Sequence, residues 1–475
     1  MTPRKGFIQK IKVPNVSDPL KQIHLHAAGV DAHAREHYVA VPVGSTPAGF
    51  VNPQANLPPF VRVFGTNTRD LEAIAVWLRQ CHVTTVAVQS TGVYHLPLVD
   101  VLERHKIEII IVDPRQTTHV PGRPKTDVLE CQWIQRLHAY GLLRASFVPG
   151  PAIRRLRAYA RQRGTLLVYM ASHVQHMQKA LELMNCKLTE VITDVVGVTG
   201  MEIIKAICRG TRDPKKLAAY RQCNVKASPE EIEAALEATW EEEYVFELSQ
   251  ALKLYNEYRR RLHDCELRME ECLKQFTDQS QGRTLAPRAK SKTKNQVHFE
   301  LRPLLLKLAG VDVTILEGVD ETTALVLLSE TGPDLSAFPT AQHFTSWLGL
   351  TPNHRGSGGK IHKRQVKPSA SRANRAFRLA ASGCHHAKNA LGAYYRRLAA
   401  RISSAKALVA TARKIAERYY HLLTKKEAYV RQGMDQYQEM YRQKLTKGLA
   451  KRAQELGYQL VPLTTEPASA TPTTK

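Results

Sequence analysis

The sequence predicts an α/β N-terminal domain followed by a long helical arm and a mostly α-helical C-terminal domain. Three observations lead there. Short β-prone runs alternate with helix-spaced segments between residues 23 and 150. From about 151 to 280, apolar residues recur at steps of three and four over runs too long for strands. A polar, basic stretch, QSQGRTLAPRAKSKTKNQ (279–296), then separates this arm from an apolar-rich region with helical spacing. At 475 residues the chain suits two or three domains.

His24–Asp31 and His37–Pro42 are β-prone runs bracketing a turn, and Val61–Phe64 is a third. A helix is predicted over Thr68–Cys81, with Asp70 near its start and Leu71, Ile74, Trp77 and Leu78 at helical spacing. Val83–Val88 and Ile107–Val112 are apolar runs of strand length. The helical stretch Leu96–His105 between them makes a βαβ unit of parallel strands, which Asp113-Pro114 closes. In the arm, Leu166, Met170, Val174, Met177, Leu181, Met184 and Leu188 form one stripe. Val245, Leu248, Leu252, Tyr255, Leu262, Met269 and Leu273 form another, preceded by a capping box at Ser228-Pro229-Glu230-Glu231. Such stripes fit an antiparallel coiled coil, a dimerisation element or ordinary core helices. The division is then an extension at 1–22, the α/β domain at 23–150, the arm at 151–280 and a linker at 281–298. A helical domain follows at 299–400, then a basic helical extension with a disordered tail, TTEPASATPTTK, at 401–475.

Charge is the strongest global feature. Sixty-eight Lys and Arg against 43 Asp and Glu give a net charge of +25. A field of that sign attracts phosphate polymers and makes binding salt-sensitive, without choosing between DNA and RNA. No apolar stretch approaches the roughly 18 residues of a membrane helix. The polar start, Met-Thr-Pro-Arg-Lys, is not a signal peptide. Eight scattered cysteines with no CxxC pair argue against zinc and disulfides and fit a reducing cytoplasm.

Asp31 ends the first apolar run, and Asp127 and Glu130 lie three residues apart, which on a helix puts them on one face. Carboxylates converging on one point need a divalent cation between them, although the same spacing also suits helix caps and solvated faces. Ser357 sits in Gly356-Ser357-Gly358-Gly359-Lys360, followed by His362, Lys363, Arg364 and Lys367. This is either a nucleophile with little surrounding bulk in a cationic setting or a Ser/Gly turn before a solvated basic run. Arg372, Arg375, Arg378, Arg396, Arg397 and Arg401 lie on predicted helices and are candidates for DNA-backbone contact. His24, His26, His33 and His37 crowd around Asp31 and, like the pair His385-His386, are metal ligands or proton shuttles on one reading and strand-end or surface histidines on the other, which the sequence favours. Trp133 and Trp347 read as core anchors.

The runs GVDAH (29–33), VAVQSTGVY (86–94), VDPRQTTHVPGRPKTDVLECQW (112–133) and YGLLRASFVP (140–149) resemble the RuvC-like domain of the DEDD-type insertion-sequence transposases related to the Piv invertase. These form the IS110 family, here its eleven-eleven branch. The resemblance continues through HMQKALELMNCKLTEVITDVVGVTGM (176–201), LAGVDVTILEGVDETTALVLLSETG (308–332) and FTSWLGLTPNHRGSGGK (344–360). It implies an RNase H-like fold for the first domain, with metal ligands at Asp31, Gln89, Asp127 and Glu130 holding Mg²⁺, or Mn²⁺ in its place. Two positions depart from the family, whose glutamate is here Gln89 and whose last aspartate is here Glu130. The resemblance also implies that Ser357 is the nucleophile, while charge and placement make Lys360, Lys363, Arg364, Lys367, Arg372, Arg375 and Arg378 the candidate nucleic-acid contacts. Leu316–Leu328 resembles half of a phosphate-binding helix-hairpin-helix, with Asp320 in place of a glycine and able to cap the helix instead. The implied activity is transposition of an insertion sequence through a phosphoserine. The implied partners are donor and target double-stranded DNA, a bridge RNA and further copies of the chain as a dimer or tetramer, with no membrane, in a prokaryotic cytoplasm at the nucleoid. Two other readings stay open: a junction-resolving nuclease that uses water, and a nucleic-acid-binding protein inactivated at Gln89.

Overall fold

The computed structural model describes residues 21–89, 92–117, 126–287, 295–357, 360–366 and 371–461, with the backbone alone described at 353–365. The chain forms two compact units, Met1–Val148 and Pro149–Lys475.

The first unit is built on a five-stranded mixed sheet of β1 (Ala27–Ala32), β2 (Glu36–Ala40), β3 (Val61–Gly65), β4 (Thr85–Gln89) and β5 (Glu108–Val112), in the order β3-β2-β1-β4-β5. β1 runs antiparallel to β2 and parallel to β4, and β4 runs parallel to β5. Crossovers join the parallel strands: α1 (Thr68–Gln80) lies before β4 and α2 (Leu96–Arg104) between β4 and β5. Leu71, Ile74 and Leu78 of α1 pack with Leu98, Val101 and Leu102 of α2 against Val30, Val86 and Val88 on one sheet face. The other face, at Ala40, Val61, Ala87 and Val112, is covered by Cys131 and Ile134 of α3 (Asp127–Ala139). Covering both faces explains why β1 and β4 read as continuous apolar runs rather than alternating ones. This is the α/β, RNase H-like domain that the sequence predicts.

The second unit is almost wholly helical. Two 33-residue helices, α4 (Pro151–Leu183) and α9 (Glu242–Lys274), pack antiparallel. Leu166 meets Leu262 and Cys265, while Met177 and Leu181 share a core with Leu248, Leu252 and Tyr255. The two apolar stripes therefore bury each other within one chain. Between them α5 (Leu188–Val191), α6 (Val198–Cys208), α7 (Pro214–Ala218) and α8 (Pro229–Ala235) enclose that second core, and the capping box at Ser228 and Glu231 forms as expected.

The remainder comprises α10 (Leu301–Ala309), α11 (Glu321–Thr331), α12 (Ala341–Trp347), a hairpin of β6 (Pro352–Ser357) and β7 (Lys360–Val366), α13 (Arg372–Gly383), α14 (Ala390–Arg401) and α15 (Ser404–Glu455). Phe338, Phe344, Phe377, Tyr419 and Tyr420 form an aromatic core under the hairpin's flanking helices. Because Tyr419 and Tyr420 lie on α15, this core extends past residue 400. α15 is interrupted at Lys426, where φ is 68° and ψ is 175°. Among the described residues no helix is long and apolar enough to cross a membrane.

Candidate metal centre and serine hairpin

Register places Asp31 and Gln89 side by side at the C-terminal ends of the parallel strands β1 and β4. That edge is where open α/β sheets bind ligands. Gly29, two residues before Asp31 and so on the same face, allows α3 to lie against β1. A Cβ there would come within 2.3 Å of the Gln135 amide nitrogen. Gln135 Nε2 also donates to the Ala27 carbonyl (3.1 Å), and His138 Nε2 meets Thr85 Oγ1 (3.0 Å), which fixes the far end of the helix. At its near end Thr126 caps the helix through Leu129 N, so Asp127 and Glu130 stand in the first turn, where the helix dipole favours anions.

Asp31 is buried, at 6% exposure, and that burial pushes its carboxyl above the usual range. His33 counteracts the shift, while Glu130 and Asp127 add to it. A cation in this position would relieve the cost. His33 Nε2 lies 3.1 Å from Asp31 Oδ2 and 3.6 Å from Asp127 Oδ1. One donor atom from each of Asp31, His33 and Asp127 falls within 4.8 Å of the others. Glu130 and Gln89 are both buried beside them, with Gln89 Nε2 donating to Glu130 Oε1 (3.4 Å). Gln89 Oε1 accepts from Thr117 (2.6 Å). The amide thus gives Glu130 a hydrogen-bond donor where a glutamate would give a second charge. Turned over, the same amide would present its oxygen beside Glu130 and its nitrogen to Thr117, whose hydroxyl also reaches the Pro114 carbonyl (2.9 Å). A set of carboxylate oxygens, an amide oxygen and one imidazole fits a divalent cation of the Mg²⁺ or Mn²⁺ kind.

The sequence reading set His33 aside with its neighbours, and the structure separates them. His24 packs its ring at a tilt against His138, with centroids 5.0 Å apart, and His37 is buried in the sheet, whereas His33 joins the acidic group.

Ser357 is the last residue of β6 and pairs with Lys360, the first of β7. The register is irregular between Arg355 and Gly356. The side chains of Ser357, Lys360, Lys363 and Arg364 lie outside the described residues, and Lys367 does so entirely. The sequence reading had no strands here. On α13, Arg372, Arg375 and Arg378 are exposed at three-residue spacing, opposite the buried Ala373, Ala376, Phe377 and Ala380. Arg396 instead donates to the His385 and Ala387 carbonyls (2.9 and 2.8 Å), and Arg397 lies over the Tyr394 ring.

Leu316–Leu328 is a tight turn leading into α11. Gly318, at φ 75°, sits against α13, where a Cβ would come within 2.2 Å of the Ala380 carbonyl oxygen. Asp320 Oδ1 accepts from Thr323 N (2.7 Å), so the N-terminus of α11 already holds its own anion. The capping role is the one this aspartate takes.

A family model for transposases of the DEDD, IS110 type, described as "Transposase", matches residues 28–186. A second, described as "Transposase IS116/IS110/IS902 family", matches residues 312–396. The first span contains Asp31, His33, Gln89, Asp127 and Glu130, and the second contains Ser357 and α13. The chain is also similar to the insertion element IS110 uncharacterized 43.6 kDa protein of Streptomyces coelicolor, with 40% identity over 90 residues. That match spans 19% of this chain and 22% of the relative.

Proposed function

Two transposase models matching in chain order place this chain in the IS110 family, and from that premise we propose that it moves an insertion sequence by DNA strand exchange through a phosphoserine. The observation that carries the reading is the convergence of Asp31 and Asp127, with Glu130 and Gln89 beside them, at the C-terminal edge of a parallel sheet.

Asp31, Asp127 and Glu130 would hold the divalent cation, Mg²⁺ or Mn²⁺, and Gln89 would contribute through its amide oxygen. When bound, the cation neutralises charge that builds on phosphate oxygens during transfer. Ser357 Oγ attacks the phosphorus of one DNA strand. The Oγ–P bond forms, the P–O3′ bond breaks, and the serine proton ends on the departing 3′ oxygen. A 3′ hydroxyl from another strand then attacks the phosphoserine, restoring a phosphodiester and returning a proton to Ser357. One diester is lost for each one made, so the exchange needs no nucleotide cofactor. Glycines on both sides of Ser357 leave room for the DNA backbone, and the net charge of +25 holds the polyanion.

A bridge RNA pairing with donor and target DNA would choose the sequences, leaving the protein to grip phosphate and shape. Two duplexes brought together call for a dimer or tetramer, acting at the nucleoid. The test is covalent trapping: purified protein, labelled element DNA and flanking RNA are mixed with Mg²⁺ and denatured in detergent. The expected result is DNA migrating with protein, lost in both Ser357→Ala and Asp127→Ala. Strand cutting without an adduct would make the protein a water-using nuclease. Tight binding with neither cutting nor adduct, in Mn²⁺ as in Mg²⁺, would make it a binding protein disabled at Gln89.

A further inference from the structure

We propose that His33 is itself a ligand of this metal centre and that, with Gln89, it turns the site's preference from Mg²⁺ toward Mn²⁺. The inference rests on the reading that the acidic cluster holds a divalent cation.

His33 follows the last residue of β1, and an extended chain sends alternate side chains to the same face, so residues 31 and 33 project together. The turn that holds it is closed by a hydrogen bond from His33 N to the Glu36 carbonyl (3.1 Å) and by the pairing of Ala32 with His37. The imidazole is not committed to the core, since its side chain keeps 45% of its exposure. Its Nε2 reaches two carboxylates on different elements, at 3.1 Å to Asp31 on β1 and 3.6 Å to Asp127 on α3. Adjacent ligands of an octahedral ion bound at about 2.1 Å lie roughly 3 Å apart, and opposite ones roughly 4.2 Å. The separations between the three donor atoms, none above 4.8 Å, are close to that range before any ion has drawn them in.

Charge and donor type point to the same ion. Gln89 brings no negative charge, and its amide nitrogen occupies one Glu130 oxygen. The donor atoms gathered at His33 are two carboxylate oxygens and its own imidazole nitrogen. Mg²⁺ and Mn²⁺ both suit carboxylate, carbonyl and water oxygens, but Mg²⁺ is held by few protein ligands beyond carboxylates, whereas Mn²⁺ is the first member of the transition-metal series and tolerates a nitrogen donor among them better than Mg²⁺ does. The competing account makes His33 a simple hydrogen-bond donor bridging two carboxylates, which a metal would displace.

The full-length protein, without nucleic acid, is titrated with Mn²⁺ while free Mn²⁺ is followed by electron paramagnetic resonance, and Mg²⁺ is then added as competitor. Wild type is expected to bind Mn²⁺ more tightly than Mg²⁺ and to show nitrogen modulation in the spin echo of the bound ion. His33→Ala should weaken Mn²⁺ binding about ten-fold or more, abolish that modulation and change Mg²⁺ binding much less. His33→Asp should narrow the gap between the two ions by favouring Mg²⁺. Thermal unfolding of each variant checks that it is folded. If His33→Ala keeps both the Mn²⁺ affinity and the nitrogen signal, His33 is only a hydrogen-bond donor and the inference fails. If Mn²⁺ binding is absent in wild type, or survives intact in both Asp31→Ala and Asp127→Ala, the metal-centre reading beneath it fails instead.

Discussion

The proposed metal centre depends on how closely α3 approaches β1, and Gly29→Ala tests that approach directly. An added Cβ would lie 2.3 Å from Gln135 N, 2.5 Å from the Cys131 carbonyl oxygen and 2.8 Å from Gln135 Cα. All three are backbone atoms, so no side chain can rotate out of the way. Ordinary contact begins near 3.4 Å, which obliges the helix to withdraw by roughly 1 Å. α3 would carry Asp127 and Glu130 with it, while Asp31 and Gln89 stay on the sheet. Overpacking of this kind costs about 1–3 kcal/mol, which for a domain of this size lowers Tm by roughly 2–12 °C. A misplacement of about 1 Å at a reacting centre costs on the order of 100-fold in rate. The assays are thermal unfolding of the full-length protein, Mn²⁺ titration and the rate of covalent adduct formation. Gly433→Ala, in α15 with nothing within 4 Å of the new methyl, is the control and should leave all three unchanged or slightly raise Tm. A Gly29→Ala protein with native Tm and native metal affinity would show that α3 does not seat on β1 as described, and the positioning argument would go with it.

Three further outcomes follow from buried charge, exposed charge and buried histidine. Glu266, 1% exposed, accepts from Arg163 Nε (2.7 Å) and from His298 N (3.2 Å). Glu266→Ala leaves a buried guanidinium without its partner and should cost about 3–5 kcal/mol in thermal unfolding, whereas Arg163→Met with Glu266→Leu should regain most of it. A single variant as stable as wild type would mean that the pair is solvated. Replacing Arg372, Arg375 and Arg378 together with glutamine should flatten the plot of log affinity for duplex DNA against log salt by about 2.7, if each contacts one phosphate. An unchanged slope would turn α13 away from the DNA. Burial holds His37 near pKa 4, below its ordinary 6.5, so the unfolded chain takes up the proton first as pH falls. Stability present at pH 7 is therefore lost between about pH 6.5 and 4, by about 3 kcal/mol when complete. His37→Leu should flatten that part of the curve, leaving the share due to His138, which burial also holds near 4. A pH profile identical to wild type would remove His37 from the account.

Where one physical signal dominated, the sequence was enough. β1, β4 and β5 were legible because both sheet faces are covered and the strands are short unbroken apolar runs; α1 was legible because one face is wet. The stripes on α4 and α9 gave the helices but not their partner, because an apolar seam looks the same whether its complement lies in the same chain or another. The hairpin at 352–366 was invisible for a different reason. Pro-Asn-His-Arg-Gly-Ser and Lys-Ile-His-Lys-Arg-Gln-Val carry no alternation of apolar and polar residues. The break in α15 falls at Lys426, between residues that give no turn signal. At the candidate metal centre, Asp31 announced itself by ending an apolar run, and Asp127 and Glu130 by their spacing. His33 did not, because four histidines near Asp31 look alike in composition. Parity separates two of them: residues 31 and 33 project to one side of an extended strand, while the hairpin register pairs His37 with Ala32 and sends it to the other. His24 falls outside that rule, since it precedes β1, and only its packing against the His138 ring separates it from the site. A histidine two residues beyond a strand-end aspartate is thus a different object from one six residues beyond it, and that difference is present in the sequence once the strand and its turn are known.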